Sequence, residues 1–118
     1  MNRTTKTLFE LGREAAKDRQ LRFFGLFRRL GSRKWDILVS GAGLRDDDIE
    51  AWTFLSKQLR SLPRDVFERS VGRATVVNED DPRLAEVERL AGTQSNPLRD
   101  FRFGDVEVRE AYVVPVNN

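Results

Sequence analysis

The residues of this chain best suited to chemistry are carboxylates, because the sequence contains neither histidine nor cysteine. Without an imidazole or a thiol, Ser-His-Asp and Cys-His catalytic sites, histidine- or cysteine-ligated zinc and disulfides are all excluded. The acidic residues Asp46, Asp48, Asp80 and Asp81 follow two predicted strands and are candidate ligands for Mg²⁺. They would meet if those strands are parallel, although the favoured interpretation is that each cluster caps a helix N-terminus.

A glycine-rich turn with Gly41 and Gly43 lies between a predicted strand and a predicted helix. Such turns can hold a phosphate with backbone N–H groups, which makes both glycines candidate phosphate-binding residues. Asp46 stands where a dinucleotide-binding fingerprint has its third glycine, and the neighbouring aspartates would repel a phosphate. We therefore expect an ordinary turn. A Mg²⁺-dependent phosphoryl or nucleotide enzyme using this turn is the third of three functional hypotheses.

The segment 22–35 combines aromatic and cationic side chains at helical spacing. It can be a core helix whose arginines extend to solvent, a protein-binding face, or an element that contacts nucleic acid or a membrane surface. Aromatic and arginine side chains are the usual anchors of protein interfaces. The candidate partner-binding residues are Arg22, Phe23, Phe24, Phe27, Arg28, Arg29, Arg33, Lys34 and Trp35.

Charge is distributed unevenly along the 118 residues. Residues 1–34 hold ten Lys or Arg against three Asp or Glu, whereas the remainder holds eleven against sixteen. The basic N-terminal part could contact nucleic acid, or the two parts could neutralise one another within the fold. We favour mutual neutralisation.

The elements that must position these residues follow from hydrophobic periodicity and capping signals. Leu8, Leu11 and Ala15 predict a helix, and Phe23, Phe27 and Leu30 predict a second one that ends near Gly31. Further along the chain the patterns predict a strand at 35–40 and then a helix capped by the aspartates at 46–48 and closed at Leu62-Pro63, with an apolar stripe of Ile49, Trp52, Leu55 and Leu59. A strand at 70–77, reached by a right-handed crossover, and a helix from Pro82 to Gly92 follow.

A β-hairpin is predicted at the C-terminal end, where Gly104 and Asp105 form a two-residue turn between two alternating segments. This turn pairs Phe103 with Val106 and Phe101 with Val108. The same register brings three pairs of opposite charges together, which supports it independently. These pairs are Arg102 with Glu107, Asp100 with Arg109, and Arg99 with Glu110.

The sequence therefore predicts one α/β domain over residues 1–118, with α+β as the alternative class, in the order α-β-α-β-α-β-β, with a mixed four-stranded sheet and packed helices. No signal peptide or membrane span is apparent, and the absence of cysteine fits a reducing compartment, so we expect a cytoplasmic protein. The leading functional hypothesis is a non-catalytic interaction domain without a cofactor, acting by self-association as a homo-oligomer or by binding a protein partner. The second is a small nucleic-acid-binding regulator that uses the basic segment 1–34.

Overall fold

The computed structural model describes residues 2–116, which form four helices and five strands. The fold belongs to the α+β class, which the sequence prediction allowed beside α/β, with five strands in the mixed sheet instead of four. In chain order the elements are α1 (Arg3–Asp18), β1 (Leu21–Arg29), β2 (Trp35–Gly41), α2 (Ile49–Arg60), α3 (Arg64–Ser70), β3 (Val71–Val76), α4 (Pro82–Thr93), β4 (Leu98–Phe103) and β5 (Val106–Val113).

The sheet has the strand order β3-β2-β1-β5-β4, with β1 at its centre. β2 and β3 are parallel and are joined through α2 and α3, as the predicted crossover requires, while the other neighbouring strands are antiparallel. β1 therefore pairs with its neighbour in sequence on one side and with the last strand on the other.

Two hydrophobic clusters fill the two faces of the sheet. α1 and α2 cover one face, where Leu8 and Leu55 pack against Phe24 and Ile37. α4 covers the other face, on which Phe27 makes edge-to-face contacts with Phe103 at 5.3 Å and with Phe23 at 6.2 Å between ring centroids. The sheet is thus buried on both sides near β1, and this explains the apolar character of that strand.

The predicted helix at 21–30 is wrong, because these residues form the central strand β1. A strand buried on both faces does not alternate polar with apolar residues, so its sequence can imitate helical spacing. Gly25 has a packing role within this strand. A Cβ at this position would lie 2.8 Å from the Phe23 ring and 2.9 Å from the Phe27 ring, so glycine allows the two rings to close over the strand.

The helix predicted after Asp48 is present as α2, but it is rotated relative to the predicted stripe. Its buried residues are Ala51, Phe54 and Leu55, whereas Ile49 and Trp52 are exposed. The prediction also omitted α3, which begins directly after Pro63, where the sequence indicated only the end of a helix. Both differences concern the same surface of the molecule.

The C-terminal elements agree with the prediction. α4 begins at Pro82 with Asp81 as its N-cap, buries Leu84 and Val87, and continues past Gly92 to Thr93. The hairpin has the predicted register, with Phe103 opposite Val106, Phe101 opposite Val108, Arg102 opposite Glu107 and Arg99 opposite Glu110. Asp100 and Arg109 are joined by a hydrogen bond of 3.0 Å.

Candidate functional site

The aromatic residues of segment 22–35 lie in the core. Phe23, Phe24, Phe27 and Trp35 are all buried, divided between the two faces of the sheet. They fill the space between the sheet and its helices and present no surface to a partner. The aromatic part of the predicted binding face is therefore accounted for by packing.

Three cations of the same segment are paired within the fold. Arg22 donates to the Glu88 carboxylate at 2.8 Å, and this hydrogen bond raises the pKa of the guanidinium. Arg28 lies 3.6 Å from Glu110, and Arg29 donates to Asp36 at 2.5 Å. These pairs join the basic N-terminal part to the acidic remainder. Arg33 and Lys34 are exposed in the connection between β1 and β2.

The Gly41 turn has structural reasons for its glycines. A Cβ on Gly41 would lie 2.7 Å from the Gln20 carbonyl oxygen, and Gly43 has a φ of +76°. The N–H of Leu44 donates to the Gly41 carbonyl, and that of Asp46 donates to the Asn78 side chain at 2.9 Å. These N–H groups are used within the fold, and the helix begins only at Ile49.

The two acidic clusters serve chiefly as helix caps. The Asp48 side chain accepts from the Glu50 N–H, and the Asp81 side chain accepts from the Arg83 N–H. The Arg83 guanidinium also donates to Asp81, which lowers the pKa of that carboxyl. Asp46 and Asp80 are exposed. Among residues 2–116, no group of three or more acidic side chains is placed to hold a metal ion.

An open apolar groove between α2 and α3, called the α2–α3 groove below, lies outside the predicted sites. Its volume is about 630 Å³, and its apolar lining consists of Trp52, Leu59, Leu62 and Phe67. Trp52 is 37% exposed and Phe67 is 42% exposed, so both rings face solvent to a degree unusual for such large side chains. The indole N–H of Trp52 donates to the Asp46 carbonyl at 2.7 Å, which fixes the orientation of the ring.

Polar residues complete the α2–α3 groove. Thr53 and Ser56 lie on its α2 side, while Arg60 and Arg64 supply positive charge. Arg64 is paired with Glu68 at 2.8 Å. The groove thus has an apolar floor with cationic edges, a composition that suits an apolar segment carrying carboxylates.

Sequence reasoning missed this groove because it required the orientation of α2 and the presence of α3. Signals for α3 were nevertheless present. Arg64 and Glu68 have the i,i+4 spacing of a helical ion pair, and Pro63 precedes the helix as its N-cap. Phe67 then falls on the same short helix and faces α2 across the groove.

Comparison of the chain with protein-family models, with curated proteins and with solved structures found no match. Within the described part of the chain, none of the helices has the length and apolar character needed to cross a membrane.

Proposed function

We propose that this protein is a non-catalytic interaction domain that binds a protein surface, its own or that of another protein, in the α2–α3 groove. The observation that supports this proposal is the pair of exposed aromatic rings, Trp52 on α2 and Phe67 on α3, that face one open groove. Aromatic side chains on a rigid scaffold lose little conformational entropy when a partner covers them.

The α2 side of the groove is held in place by the contacts beneath it. Ala51, Phe54 and Leu55 attach α2 to the core, and the hydrogen bond from Trp52 to Asp46 holds the indole in place. A preformed apolar surface of this kind favours association with a second apolar surface, since both lose contact with water. Its volume also falls in the range of about 300–1,000 Å³ typical of small-molecule pockets, but the open shape between two helices favours a larger partner.

Site-specific photo-crosslinking tests this proposal. A photoreactive phenylalanine analogue replaces Phe67 in one variant and Leu30 in the control, because Leu30 is also an exposed apolar side chain but lies away from the groove. After irradiation in cells, we expect a protein adduct from position 67, of this chain or of another protein. We expect this adduct to disappear when Trp52→Ser is added.

The proposal is contradicted if position 67 yields no more protein adduct than position 30. Adducts that disappear on nuclease treatment, rather than on Trp52→Ser, would instead favour the nucleic-acid-binding alternative. That alternative requires contacts from the basic N-terminal part, in which Arg22, Arg28 and Arg29 already have carboxylate partners.

A further inference from the structure

The outward face of α2 carries opposite charges at its two ends. Asp47 and Glu50 are exposed at its N-terminal end, and Lys57 and Arg60 are exposed at its C-terminal end. The helix axis between Ile49 and Arg60 is about 16 Å long, from a rise of about 1.5 Å per residue. Because this length exceeds the Debye length of about 8 Å at physiological ionic strength, the charges at the two ends scarcely affect each other. Each end interacts chiefly with the charged groups nearest to it.

Three of these four charged side chains have no ion-pair partner among the described residues. Glu50, Lys57 and Arg60 form no ion pair with another of the residues 2–116, and Asp47 lies 3.8 Å from Arg45 with 78% of its side chain exposed. An acidic end and a basic end on one exposed helix complement each other when a second copy of that helix lies antiparallel to it.

From this self-complementarity we infer that the α2–α3 groove is occupied by a second copy of the same chain, with the two α2 helices antiparallel about a two-fold axis. This inference rests on the proposed function and names the partner.

The spacing of side chains along α2 fits this arrangement. Residues seven apart lie on the same side of a helix, so Glu50 and Lys57 share one flank while Trp52 and Leu59 share the other. A two-fold axis that reverses the helix direction brings equal flanks together. Glu50 then lies level with Lys57 of the second copy, while Trp52 lies on the other flank, about one helical turn along from Leu59 of the second copy.

The remaining exposed residues of α2 are also accommodated. Thr53 and Ser56 lie near the midpoint of the helix, where their small side chains let the two backbones approach closely. Ile49, which is 79% exposed, would pass beside the C-terminal end of the second helix and reach its groove. The antiparallel pair thus covers Ile49, Trp52 and Phe67 together, the large exposed apolar side chains of this surface.

Charge reversal at the two ends tests the inference. In the acid-end variant, Asp47→Lys and Glu50→Lys together make both ends of α2 basic. In the basic-end variant, Lys57→Glu and Arg60→Glu together make both ends acidic. Sedimentation of the purified wild-type chain, from low to high micromolar concentration, is expected to give twice the 13.6 kDa chain mass. Each variant alone is expected to raise the dimer dissociation constant by about tenfold or more, because every cross-interface attraction becomes a repulsion.

Mixing the two variants supplies the decisive measurement. In a mixed dimer, the basic end of one chain faces the acidic end of the other at both contacts, so we expect heterodimers to form where neither variant dimerises alone. A misfolded variant could not produce this rescue. Glu86→Lys/Asp105→Lys and Arg89→Glu/Arg102→Glu are the matched controls, since they change the net charge equally at exposed positions of α4 and the C-terminal hairpin, on the other side of the sheet from α2. Both controls are expected to remain dimeric.

Two results would overturn the inference in distinguishable ways. A wild-type chain that stays monomeric at all concentrations excludes the second copy. If position 67 crosslinks to a different protein in that case, the proposed function still holds. A dimer that persists in both charge-reversed variants would place self-association on another surface. The absence of any protein crosslink at position 67 would contradict the proposed function as well.

Discussion

Gly12 allows α1 to pack closely against the central strand of the sheet. A Cβ at this position would lie 2.5 Å from Cδ1 of Phe24 and 2.9 Å from Cγ2 of Val114, far inside the 3.4–4 Å of ordinary contact. Phe24 is fully buried in the central strand, so its ring cannot swing out into solvent. The helix must therefore shift, or the aromatic ring must leave its rotamer.

Two opposing effects determine what Gly12→Ala does. Replacing glycine by alanine inside a helix normally stabilises by about 0.8–1 kcal/mol, while overpacking a well-filled core costs about 1–3 kcal/mol. Because the clash involves two buried side chains, we expect the overpacking to dominate and the variant to lose about 1–2 kcal/mol of unfolding free energy. Gly92→Ala in α4 is the control, since its added Cβ meets nothing within 4 Å. It should gain up to about 1 kcal/mol.

Urea denaturation followed by far-UV circular dichroism measures both free energies, provided that the slopes with denaturant stay equal. Combining Gly12→Ala with Phe24→Leu should show positive coupling, because a smaller side chain on β1 relieves the clash. If Gly12→Ala has the same free energy of unfolding as Gly92→Ala, then α1 does not pack against Phe24 closely enough to exclude a methyl group at position 12.

Two further predictions concern acidic side chains. Asp36 is buried, accepts from the Arg29 guanidinium at 2.5 Å and accepts from the Arg73 N–H at 2.9 Å. Asp36→Ala should lower the free energy of unfolding by about 3 kcal/mol. Asp36→Asn should lower it by only about 1–2 kcal/mol, because asparagine still accepts from the Arg73 N–H. Equal losses in thermal unfolding would contradict this account. Asp81 has its pKa lowered by the hydrogen bond from Arg83, so its contribution to stability is present above the unfolded pKa and is lost as the pH falls through the lower folded pKa. Asp81→Asn keeps a helix cap, so it should lower the free energy of unfolding by about 0.5 kcal/mol at neutral pH. In acid, its free energy of unfolding should equal that of the wild type. If urea titrations give the same difference at every pH, the hydrogen bond from Arg83 does not stabilise the protein.

The predictable parts of the fold are those specified by local chemistry. The hairpin register followed from Gly104 and from three charge pairs that agree with the apolar pairs. Asp81 and the aspartates at 46–48 indicated the starts of α4 and α2 for the same reason; the structure identifies Asp48 as the α2 cap, and in both caps the side chain accepts from an N–H two residues later. No tertiary information is needed for either feature.

The central strand and the candidate site depend on tertiary context instead. Phe23 and Phe27 have helical spacing, yet they belong to a strand because both faces of the sheet are covered. Ile49 and Trp52 have the spacing of core residues in an amphipathic helix, yet the core receives Ala51 and Phe54. In each case hydrophobicity alone does not indicate which face is buried, and only the assembled sheet decides it.

The position of β1 also constrains the order in which the chain can assemble during synthesis. β1 can pair with β2 as soon as residues 21–41 have left the ribosome, but its other edge must wait for β5 at 106–113. Until then the second edge of β1 is unpaired, and the Phe27 ring lacks its contact with Phe103; an unpaired apolar edge is a site of misassociation. The C-terminal hairpin is fast to form because its contacts are local, so its docking onto β1 completes the sheet. Truncation before residue 106 would leave a nascent domain suited to recognition by chaperones.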